Sequence, residues 1–389
     1  MKVGVIVVGV RGATASTMIA TSIAPRPGDE ERYLLSGTEE VAKLGLVPLC
    51  DIRWAGFDTK LESWTETLER HGVLPAPEHA PRLEDAVHML EAVSFESDHA
   101  SAVEGVLTPA IPARAVLERL RVQIRGFKDD TEVDRIILVH LGAPAVLPPR
   151  EDWPHTAAEL ISAVERGELQ TAALYYTMAA ILEGAAVIDY TASATLEIPG
   201  LLDLARAEGV PVAGRDGSTG QTLMKSVLAQ TFVVRRLKVR GWYSTNILGN
   251  HDGLVLSDER YADVKKVDKT ALLEEILGER VQSHIVDIRH YLPAGDRKEA
   301  WDAVDFETWN GGSGELRINW RAGDSLLATP PILDLIRFME YAQRSGASGL
   351  QTQLSMFFKH PLGTSERRYL KLAEELEHYV RAEIAARSL

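Results

Sequence analysis

The stretch KVGVIVVGVRGATASTMIAT, residues 2–21, decides the fold of this chain. Its first half, residues 2–10, is a β-branched run of the kind found in strands that are buried on both faces. A turn containing Gly9 and Gly12 follows, and residues 18–21 have the character of the first turns of a helix. This order of strand, glycine turn and helix predicts a dinucleotide-binding α/β fold in which mostly parallel strands alternate with helices.

The rest of the chain first extends this pattern and then departs from it. Further buried strands are predicted at residues 45–52, 135–141, 185–189 and 210–213, with a helix at residues 201–208. The middle of the chain alternates apolar and polar residues, which predicts a second, mixed sheet from residues 232–243, 283–291 and 315–320. Two more helices are predicted at residues 324–341, with Asp324 or Ser325 as the N-cap, and at residues 364–389.

Composition narrows the functional class before any motif is considered. The chain has 389 residues, 42 Lys and Arg against 56 Asp and Glu, a net charge of −14 and one cysteine, Cys50. Its length suits two domains, and its acidic balance argues against a general nucleic-acid binder. One cysteine excludes a disulfide framework, and the apolar runs are too short to span a membrane. We therefore expect a cytoplasmic enzyme without a leader segment, and with neither nucleic acid nor membrane as a partner.

The glycine turn is a candidate cofactor site. Glycine lets a backbone approach a pyrophosphate, and the dipole at the start of a helix attracts it. The turn departs from G-x-G-x-x-G because Arg11 and Ala15 occupy two glycine positions, so a ligand-free strand–helix turn is the alternative. Asp51 and Asp58 are either partners of the adenosine ribose or surface acids. The candidate turn consists of Gly9, Val10, Arg11, Gly12, Ala13 and Thr14.

Three motifs in the second half of the chain carry a different chemistry. Residues 214–226 read GRDGSTGQTLMKS, in which small and hydroxyl residues open a helix and suit a phosphate group. Residues 244–253 read STNILGNHDG and lead into Lys265 and Lys269. Two linked stretches make the third motif, PAGDRK at residues 293–298 and GDSLLATP at residues 323–330. Together these motifs point to an anionic, phosphorylated ligand.

In these motifs and in their order, the chain resembles the myo-inositol-1-phosphate synthase (inositol-3-phosphate synthase) family. The family patterns are G-x-D-x-x-S-G-Q-T-x-x-K-S, S-x-N-x-L-G-N-N-D-G, G-D-S-K and E-D-S-L-L-A-x-P. The resemblance implies a Rossmann-type NAD-binding domain formed by residues 1–213 and 325–389. It also implies a mixed α/β catalytic and tetramerisation domain inserted at residues 214–324, and hence a homotetramer.

The reaction that the resemblance implies is the NAD-dependent conversion of D-glucose 6-phosphate to 1L-myo-inositol 1-phosphate without net redox change. Bound NAD⁺ oxidises the hydroxyl on carbon 5, and the new ketone acidifies the proton on carbon 6. The enolate then attacks the aldehyde at carbon 1 and closes the ring, after which NADH reduces the ketone. Because negative charge develops on oxygen twice, preorganised cations and lysines with lowered pKa values suit this chemistry.

The resemblance also assigns residues to roles. Lys265 and Lys359 flank the carbon 5 oxygen and serve hydride and proton transfer. The substrate phosphate is held by Thr219, Gly220, Gln221, Lys269 and Lys298. The catalytic set is Lys265, Lys269, Lys298, Lys359, Asp216, Asn246 and Asp324, and further aligned polar positions are Asn250 and Asp252. Asp58, Asp216 and Asp324 join the glycine turn as cofactor-binding residues.

Each of these residues also has a simpler interpretation. Lys265 and Lys269 fit a solvated helix face, Lys298 a turn, Lys359 a helix end and Asp324 a helix cap. Some family members use a metal cation, but no cluster of His, Cys and carboxylate residues in the sequence demands one, so the metal stays open. The histidines, His140, His284 and His290, are interpreted as structural.

The departures from the family pattern lie mostly in the cofactor half. The family's G-x-G-G-N-N-G-S is GVRGATAS here, at residues 9–16, and its N-G-S-P-Q-N-T is matched only loosely by residues 189–195. The second asparagine of G-N-N-D-G is His251. These changes keep open a related cyclase or oxidoreductase that acts on another sugar phosphate, and a non-catalytic NAD-binding module. Arg11 also leaves NADP open beside NAD.

Overall fold

The strands of the chain form two sheets. The computed structural model describes residues 1–28, 31–93, 112–249 and 272–387. Within these residues the strands are β1 Val3–Val8, β2 Ile52–Asp58, β3 Val87–Glu91, β4 Arg135–His140, β5 Ala186–Asp189, β6 Pro211–Gly214, β7 Lys238–Leu248, β8 Ser283–His290, β9 Arg297–Glu307, β10 Ser313–Gly323 and β11 Gly349–Leu350.

The first sheet has seven parallel strands in the order β11-β6-β5-β4-β1-β2-β3. Read from the other edge, its first six strands follow the 3-2-1-4-5-6 order of a doubly wound dinucleotide fold. All six residues of β1 are buried, as the β-branched run predicts. The strand order reverses between β1 and β4, so a ligand crevice is expected outside the carboxyl ends of these strands.

Helices cover both faces of this sheet. In chain order, the helices that the structure delimits are α1 Ala13–Ile23, α2 Glu39–Ala42, α3 Trp64–His71, α4 Ala76–Ala86, α5 Ala113–Thr131, α6 Ala157–Glu165, α7 Ala172–Leu182, α8 Pro199–Ala207, α9 Gly220–Val234, α10 Asp324–Arg344 and α11 Tyr369–Arg387. All but α9 pack on this sheet. One face packs on α1 to α4, α10 and α11. The other face packs on α5 to α8. None of the helices described has the length and apolar character required to cross a bilayer.

The second sheet has four strands in the order β10-β9-β7-β8. It is mixed, because β7 pairs parallel with β8 while the β7–β9 and β9–β10 pairs are antiparallel. Helix α9 packs on one face, where Phe232 meets Trp242 and Val304 in a small core. The Rossmann-type sheet and the separate mixed sheet together confirm the fold class that the sequence predicts.

Three predicted boundaries are wrong. The second strand runs over Ile52–Asp58 rather than residues 45–52, because Pro48 has no N–H for a ladder and precedes a 3-10 turn at Leu49–Asp51. The alternating run predicted at residues 232–243 begins at Lys238, since α9 continues to Val234. The last helix begins at Tyr369 instead of residue 364.

Two further predictions, both near the second sheet, are also wrong. Lys298 is not in a turn. It lies on β9, where it pairs with Ala322 of β10. The N-cap of α10 is Gly323, so neither Asp324 nor Ser325 caps the helix. A more distant residue takes that role, because Asp296 Oδ2 accepts the N–H of Ser325 at 3.1 Å. A cap supplied from another segment leaves no mark in the local sequence.

Candidate active site

The cofactor turn joins the carboxyl end of β1 to α1. Gly9 has φ +80°, and a Cβ placed on it would lie 2.8 Å from the Cα of Gly142, so only glycine fits there. Gly12 is the N-cap of α1, with no capping side chain and no acid in the first turn. The first amides of the helix, at Ala13 and Thr14, therefore have no capping side chain, and the positive end of the helix dipole lies behind them. This cradle fits a pyrophosphate.

Arg11 anchors the cofactor turn to helix α3. Its guanidinium carbon lies 4.3 Å from the centroid of the Trp64 ring, and its Nη1 donates to Thr67 Oγ1 at 3.3 Å. Its carbonyl oxygen accepts a hydrogen bond from Arg70 Nη2 at 3.2 Å and lies 2.8 Å from His71 Nε2. The buried side chain is thus committed to α3, and any contact of Arg11 with a cofactor would come from its backbone.

Asp58 ends β2, at the position where a Rossmann-type domain places its acidic partner for the ribose. Its carboxylate accepts the N–H of Arg11 at 2.7 Å and the N–H of Lys60 at 2.9 Å. These bonds tie the end of β2 to the cofactor turn. Asp51 lies just before β2, at the amino end of the strand, whereas the cofactor turn follows the carboxyl end of β1. The alternative ribose assignment for Asp51 is therefore wrong. The glycine cradle and Asp58 together fit a dinucleotide.

A second turn of the same kind joins β6 to α9. Thr219 is the N-cap of α9, but its side chain makes no capping hydrogen bond, and the first turn contains no acid. Gly220 has φ +62°, and a Cβ on it would lie 2.9 Å from Cη2 of Trp320. The backbone amides at the start of α9 therefore receive no hydrogen bond from a capping side chain. Such a helix start fits a phosphate group, as the sequence predicts.

Lys298 reaches this turn from the second sheet. Its Cδ lies 3.8 Å from the point that a Cβ of Gly220 would occupy. Its Nζ lies 3.3 Å from Asp324 Oδ1 and 3.5 Å from Oδ2, and both side chains are about one-fifth exposed, at 19% and 20%. The structure thus brings together three predicted site residues, the start of α9, a strand lysine and the first residue of α10.

Lys359 forms a second lysine–carboxylate pair with Asp216, a residue of the turn itself. Its Nζ donates to Asp216 Oδ1 at 2.8 Å. Asp216 has φ +59°, which is uncommon for a residue with a side chain. It is held there because its N–H donates to the carbonyl of Thr191 at 2.8 Å and its own carbonyl accepts the N–H of Lys359 at 2.6 Å. Residues 191, 216 and 359 therefore form one hydrogen-bonded junction of three chain segments.

Gln221 and Asn246 belong to a buried network. Gln221 Nε2 donates to Asp302 Oδ2 at 3.0 Å, and Asn246 Nδ2 donates to Gln221 Oε1 at 2.5 Å. Asp302 also accepts hydrogen bonds from Trp242 Nε1 and Ser244 Oγ, at 2.8 and 2.7 Å. The side chain of Gln221 is thus occupied inside the protein, and its backbone amide is the group that faces the turn. Sequence reasoning missed Asp302, although an acid at an inward position of an alternating strand is a usable signal.

Lys225 is a buried cation that sequence reasoning also missed. It is one turn further along α9, with Nζ 3.0 Å from His284 Nε2 and 5.6 Å from the centroid of Trp242. Burial lowers the pKa of Lys225 to about 8, against the opposing effect of the Asp302 carboxylate. Its place in the motif GQTLMKS marks it, but the partner His284 is 59 residues away in sequence.

Two buried titratable residues end neighbouring strands of the first sheet. Burial lowers the pKa of His140 to about 4, so the ring is neutral at pH 7, and neither ring nitrogen has a hydrogen-bond partner among the described residues. Burial raises the pKa of Asp189 to about 7, although Thr191 donates two hydrogen bonds to it. Burial, with Asp216 and Asp324 nearby, raises the pKa of the Tyr190 phenol well above its usual range. Tyr190, too, had not been singled out from the sequence.

Some predicted site residues cannot be placed. Lys265, Lys269, Asn250 and Asp252 lie outside the residues that the structure describes. In the part of the chain that is described, no three His, Cys, Asp or Glu side chains are arranged to hold a metal ion. The observed geometry of the site therefore rests on the two lysine–carboxylate pairs and the two helix starts.

Comparison with known proteins points to one family. Residues 220–325 match the family model described as myo-inositol-1-phosphate synthase. Inositol-3-phosphate synthase 1 of Bacteroides thetaiotaomicron is 32% identical over 94% of this chain and 91% of its own length. Inositol-3-phosphate synthase of Saccharomyces cerevisiae is 33% identical over 59% of this chain, a match that covers 45% of the yeast protein.

Solved structures share the fold. Inositol-3-phosphate synthase of Caenorhabditis elegans superposes with a TM-score of 0.84 at 23% identity, over 98% of this chain and 86% of that one. A myo-inositol-1-phosphate synthase-related protein of Thermotoga maritima has a TM-score of 0.78 at 22% identity, over 98% of both chains. The bacterial relative is similar along nearly its whole length, which a shared fold does not require, and this chain is accordingly a member of the inositol-3-phosphate synthase family.

Proposed function

We propose that this protein converts D-glucose 6-phosphate to 1L-myo-inositol 1-phosphate with NAD as a cofactor that is regenerated in each catalytic cycle. Family membership supports the reaction. The observation that carries it to this chain is the pair of lysine–carboxylate contacts, Lys298–Asp324 beside Gly220 and Lys359–Asp216 in the turn that leads to α9. A reaction that creates negative charge on sugar oxygens needs fixed cations beside a phosphate site, and this arrangement supplies both.

In this proposal each pair has its own task. Lys359 binds the carbon 5 oxygen and takes or returns its proton, with Asp216 holding the ammonium in place. Lys298 binds the phosphate together with the backbone amides of Thr219, Gly220 and Gln221. Asp324 orients Lys298 at the first turn of α10. The cofactor, held at the turn of Gly9–Thr14 and by Asp58, supplies a hydride acceptor that becomes a donor in the last step.

The domain division is also a proposal. Strands β1 to β6 and β11 belong to one sheet, and β7 to β10 belong to another. Since β11 returns to the first sheet after the second is complete, the contacts support a Rossmann-type domain of residues 1–213 and 325–389 with residues 214–324 inserted. The chain ends then belong to the same domain.

We also propose that the chain forms a homotetramer, with the second sheet as a subunit interface. The face opposite α9 exposes Tyr243, Ile285 and Trp301, which are 44%, 52% and 48% exposed on three neighbouring strands. An apolar patch of this kind on a sheet is typical of a subunit interface. The mass of the particle by light scattering tests this, and a monomer would contradict it. The cytoplasmic location stays a prediction.

The test of the function is direct. The purified chain is incubated with NAD⁺ and glucose 6-phosphate, with and without mono- and divalent cations. The products are separated by chromatography and identified by mass spectrometry. We expect an inositol phosphate of the same mass as the substrate and no accumulation of NADH. Net NADH would indicate a dehydrogenase instead, and turnover only with another sugar phosphate would indicate a related cyclase. The cofactor released by denaturation, identified by mass, decides between NAD and NADP.

A further inference from the structure

Asp302 is the centre of the buried network between α9 and the second sheet, and as a carboxylate it can only accept hydrogen bonds. Two donors share its Oδ1, the Trp242 indole at 2.8 Å and the Ser244 hydroxyl at 2.7 Å, while Gln221 Nε2 donates to its Oδ2 at 3.0 Å. All four side chains are buried. A carboxylate has no proton to give, so every partner of Asp302 must present a donor.

This requirement fixes the direction of two further side chains. Gln221 turns its NH2 group to Asp302, which leaves its Oε1 to meet Asn246. Asn246 must then present its own NH2 group, and its Nδ2 donates to Gln221 Oε1 at 2.5 Å. The oxygen of Asn246 is thereby turned away from Gln221, and it has no hydrogen-bond partner among the described residues. We call Asp302, Gln221 and Asn246, in this order, the amide relay.

The amide relay runs along the face of the second sheet that carries Lys298. Asn246 of β7 pairs with Ala300 of β9. Ala300 is midway between Asp302 and Lys298, and alternate residues of a strand share one face of the sheet. The relay therefore starts at a buried carboxylate and ends, along the strand direction, closer to a lysine of the candidate site. An acceptor oxygen at that end suits a hydroxyl or an ammonium and repels a phosphate oxygen.

We propose that Asp302 is a positioning residue that sets the direction of the amide relay and thereby makes Asn246 an acceptor, matched to a hydroxyl and not to a phosphate. The use of that acceptor by a sugar hydroxyl rests on the proposed function and on the catalytic assignment of Asn246 that the family resemblance implies. The direction of the relay rests on neither, because it follows from the hydrogen bonds of Asp302 alone.

Asp302→Asn tests this proposal because it should invert the relay without removing a hydrogen bond. Since the Trp242 indole can only donate, the new amide keeps its oxygen at the Oδ1 position and turns its NH2 group to Gln221. Gln221 and Asn246 then both turn over, and Asn246 presents NH2 instead of oxygen. We expect kcat/KM for glucose 6-phosphate to fall roughly 10- to 100-fold. The affinity for inorganic phosphate, measured by calorimetry, should stay unchanged, whereas a general disturbance of α9 would lower it.

Two double variants separate direction from charge. In the Asp302→Asn chain, Gln221→Glu places an acceptor-only group in the middle of the relay, so Asn246 again donates inward and most of the lost turnover should return. Lys225→Met instead removes the buried ammonium whose charge Asp302 balances, and it should restore nothing. Rescue by Lys225→Met rather than by Gln221→Glu would overturn the proposal, because charge would then explain the loss. Asp305→Asn, at an exposed acid of the same strand, is the matched control and should keep its turnover.

Thermal unfolding gives a readout that does not depend on turnover. In the parent chain, Gln221→Glu sets two carboxyl groups against each other and should lower the melting temperature by about 5 °C or more. In the Asp302→Asn chain, the same substitution accepts a hydrogen bond from the new amide and should lower it by less than about 2 °C. Equal losses in the two backgrounds, or unchanged turnover of the folded Asp302→Asn variant, would contradict the proposal. If the parent chain makes no inositol phosphate, the proposed function fails, and the unfolding measurements still decide the direction of the relay.

Discussion

The cofactor turn after β1 and the phosphate turn after β6 use the same backbone device with different surroundings. Each has a glycine with positive φ, Gly9 at +80° and Gly220 at +62°, and each opens a helix without a capping side chain. Two lysine–carboxylate pairs contact the phosphate turn, whereas Arg11 anchors the cofactor turn to α3. A helix start can bind an anion through its backbone alone, and in the proposed reaction the charged side chains lie at the turn where new charge develops.

The largest effect is expected at the phosphate turn, which carries the lysine–carboxylate pairs. Lys359→Ala should lower kcat about 10²- to 10⁴-fold, because it removes the cation assigned to the carbon 5 oxygen. Formation of inositol phosphate measures this. Lys371→Ala is the control, since Lys371 is an exposed lysine of α11 that pairs with Glu374. A Lys359 variant that keeps its turnover within threefold would remove Lys359 from the proposed chemistry.

The next effect is expected at the cofactor turn. Gly9→Ala should lower the free energy of unfolding by about 3 kcal/mol, through strained φ and a Cβ 2.8 Å from the Gly142 backbone. It should also abolish NAD⁺ binding, because the cradle would be displaced. Gly72 has φ +64° with nothing within 4 Å of its Cβ position, so Gly72→Ala should show the φ cost alone, about 1 kcal/mol. Equal losses for the two variants in chemical denaturation would show that the close approach at Gly9 is unimportant.

A pH-dependent effect is expected at Asp189. The pKa of its carboxyl is about 7 in the folded protein and about 4 in an unfolded chain, so the folded state holds more protons between these values. Its contribution to stability is therefore present at low pH and is lost as pH rises from about 4 to 7. Asp189→Asn should be more stable than the parent by about 2 kcal/mol at pH 7.5 and nearly equal to it at pH 4.

Denaturation curves at several pH values measure this difference. The exposed Asp130→Asn provides the control, and its difference from the parent should be flat with pH. A flat profile for Asp189→Asn as well would mean that the carboxyl is solvated rather than buried.

The smallest effect is expected at Arg11. Arg11→Ala should weaken NAD⁺ binding roughly 3- to 10-fold, because the turn loses the Trp64 stacking and the bond to Thr67 that hold it in place. Glucose 6-phosphate binding by the NAD⁺-saturated variant should be unchanged, since Lys298 and α9 are untouched. Equal weakening of both ligands, measured by calorimetry, would show that the two turns are less independent than their surroundings suggest.

The sequence predicts the strand–turn–helix units well because their signals are local. The run at residues 2–10, the glycines of the first turn and the motif at residues 214–226 all lie where the expected elements form. Strand β2 was placed too early because Pro48 and a 3-10 turn interrupt an apolar run. The motif GDRK predicts Lys298 in a turn, whereas the strand already begins at Arg297 and pairs with both β7 and β10.

The contents of the site were harder to predict than the fold. The family resemblance identifies Lys359 and Asp216, but their pairing across 143 residues depends on the three-dimensional junction with Thr191. Asp302 and Lys225 show the opposite case. Their roles depend on burial and on partners from other strands, and a sequence pattern records neither. The local sequence places Arg11 in the cofactor turn, but its side-chain partners Trp64 and Thr67 come from another segment and leave no mark there.

Helix α10 adds a link between the two turns. It is 21 residues long, about 30 Å, and its first residue, Asp324, pairs with Lys298. Further along, Ile332 and Ile336 pack in the same core as Met18 of α1, the helix that the cofactor turn opens. Because α10 contacts Lys298 at its first residue and packs on α1 further along, we expect binding at the two turns to be coupled, in which case each ligand changes the affinity for the other by the same factor.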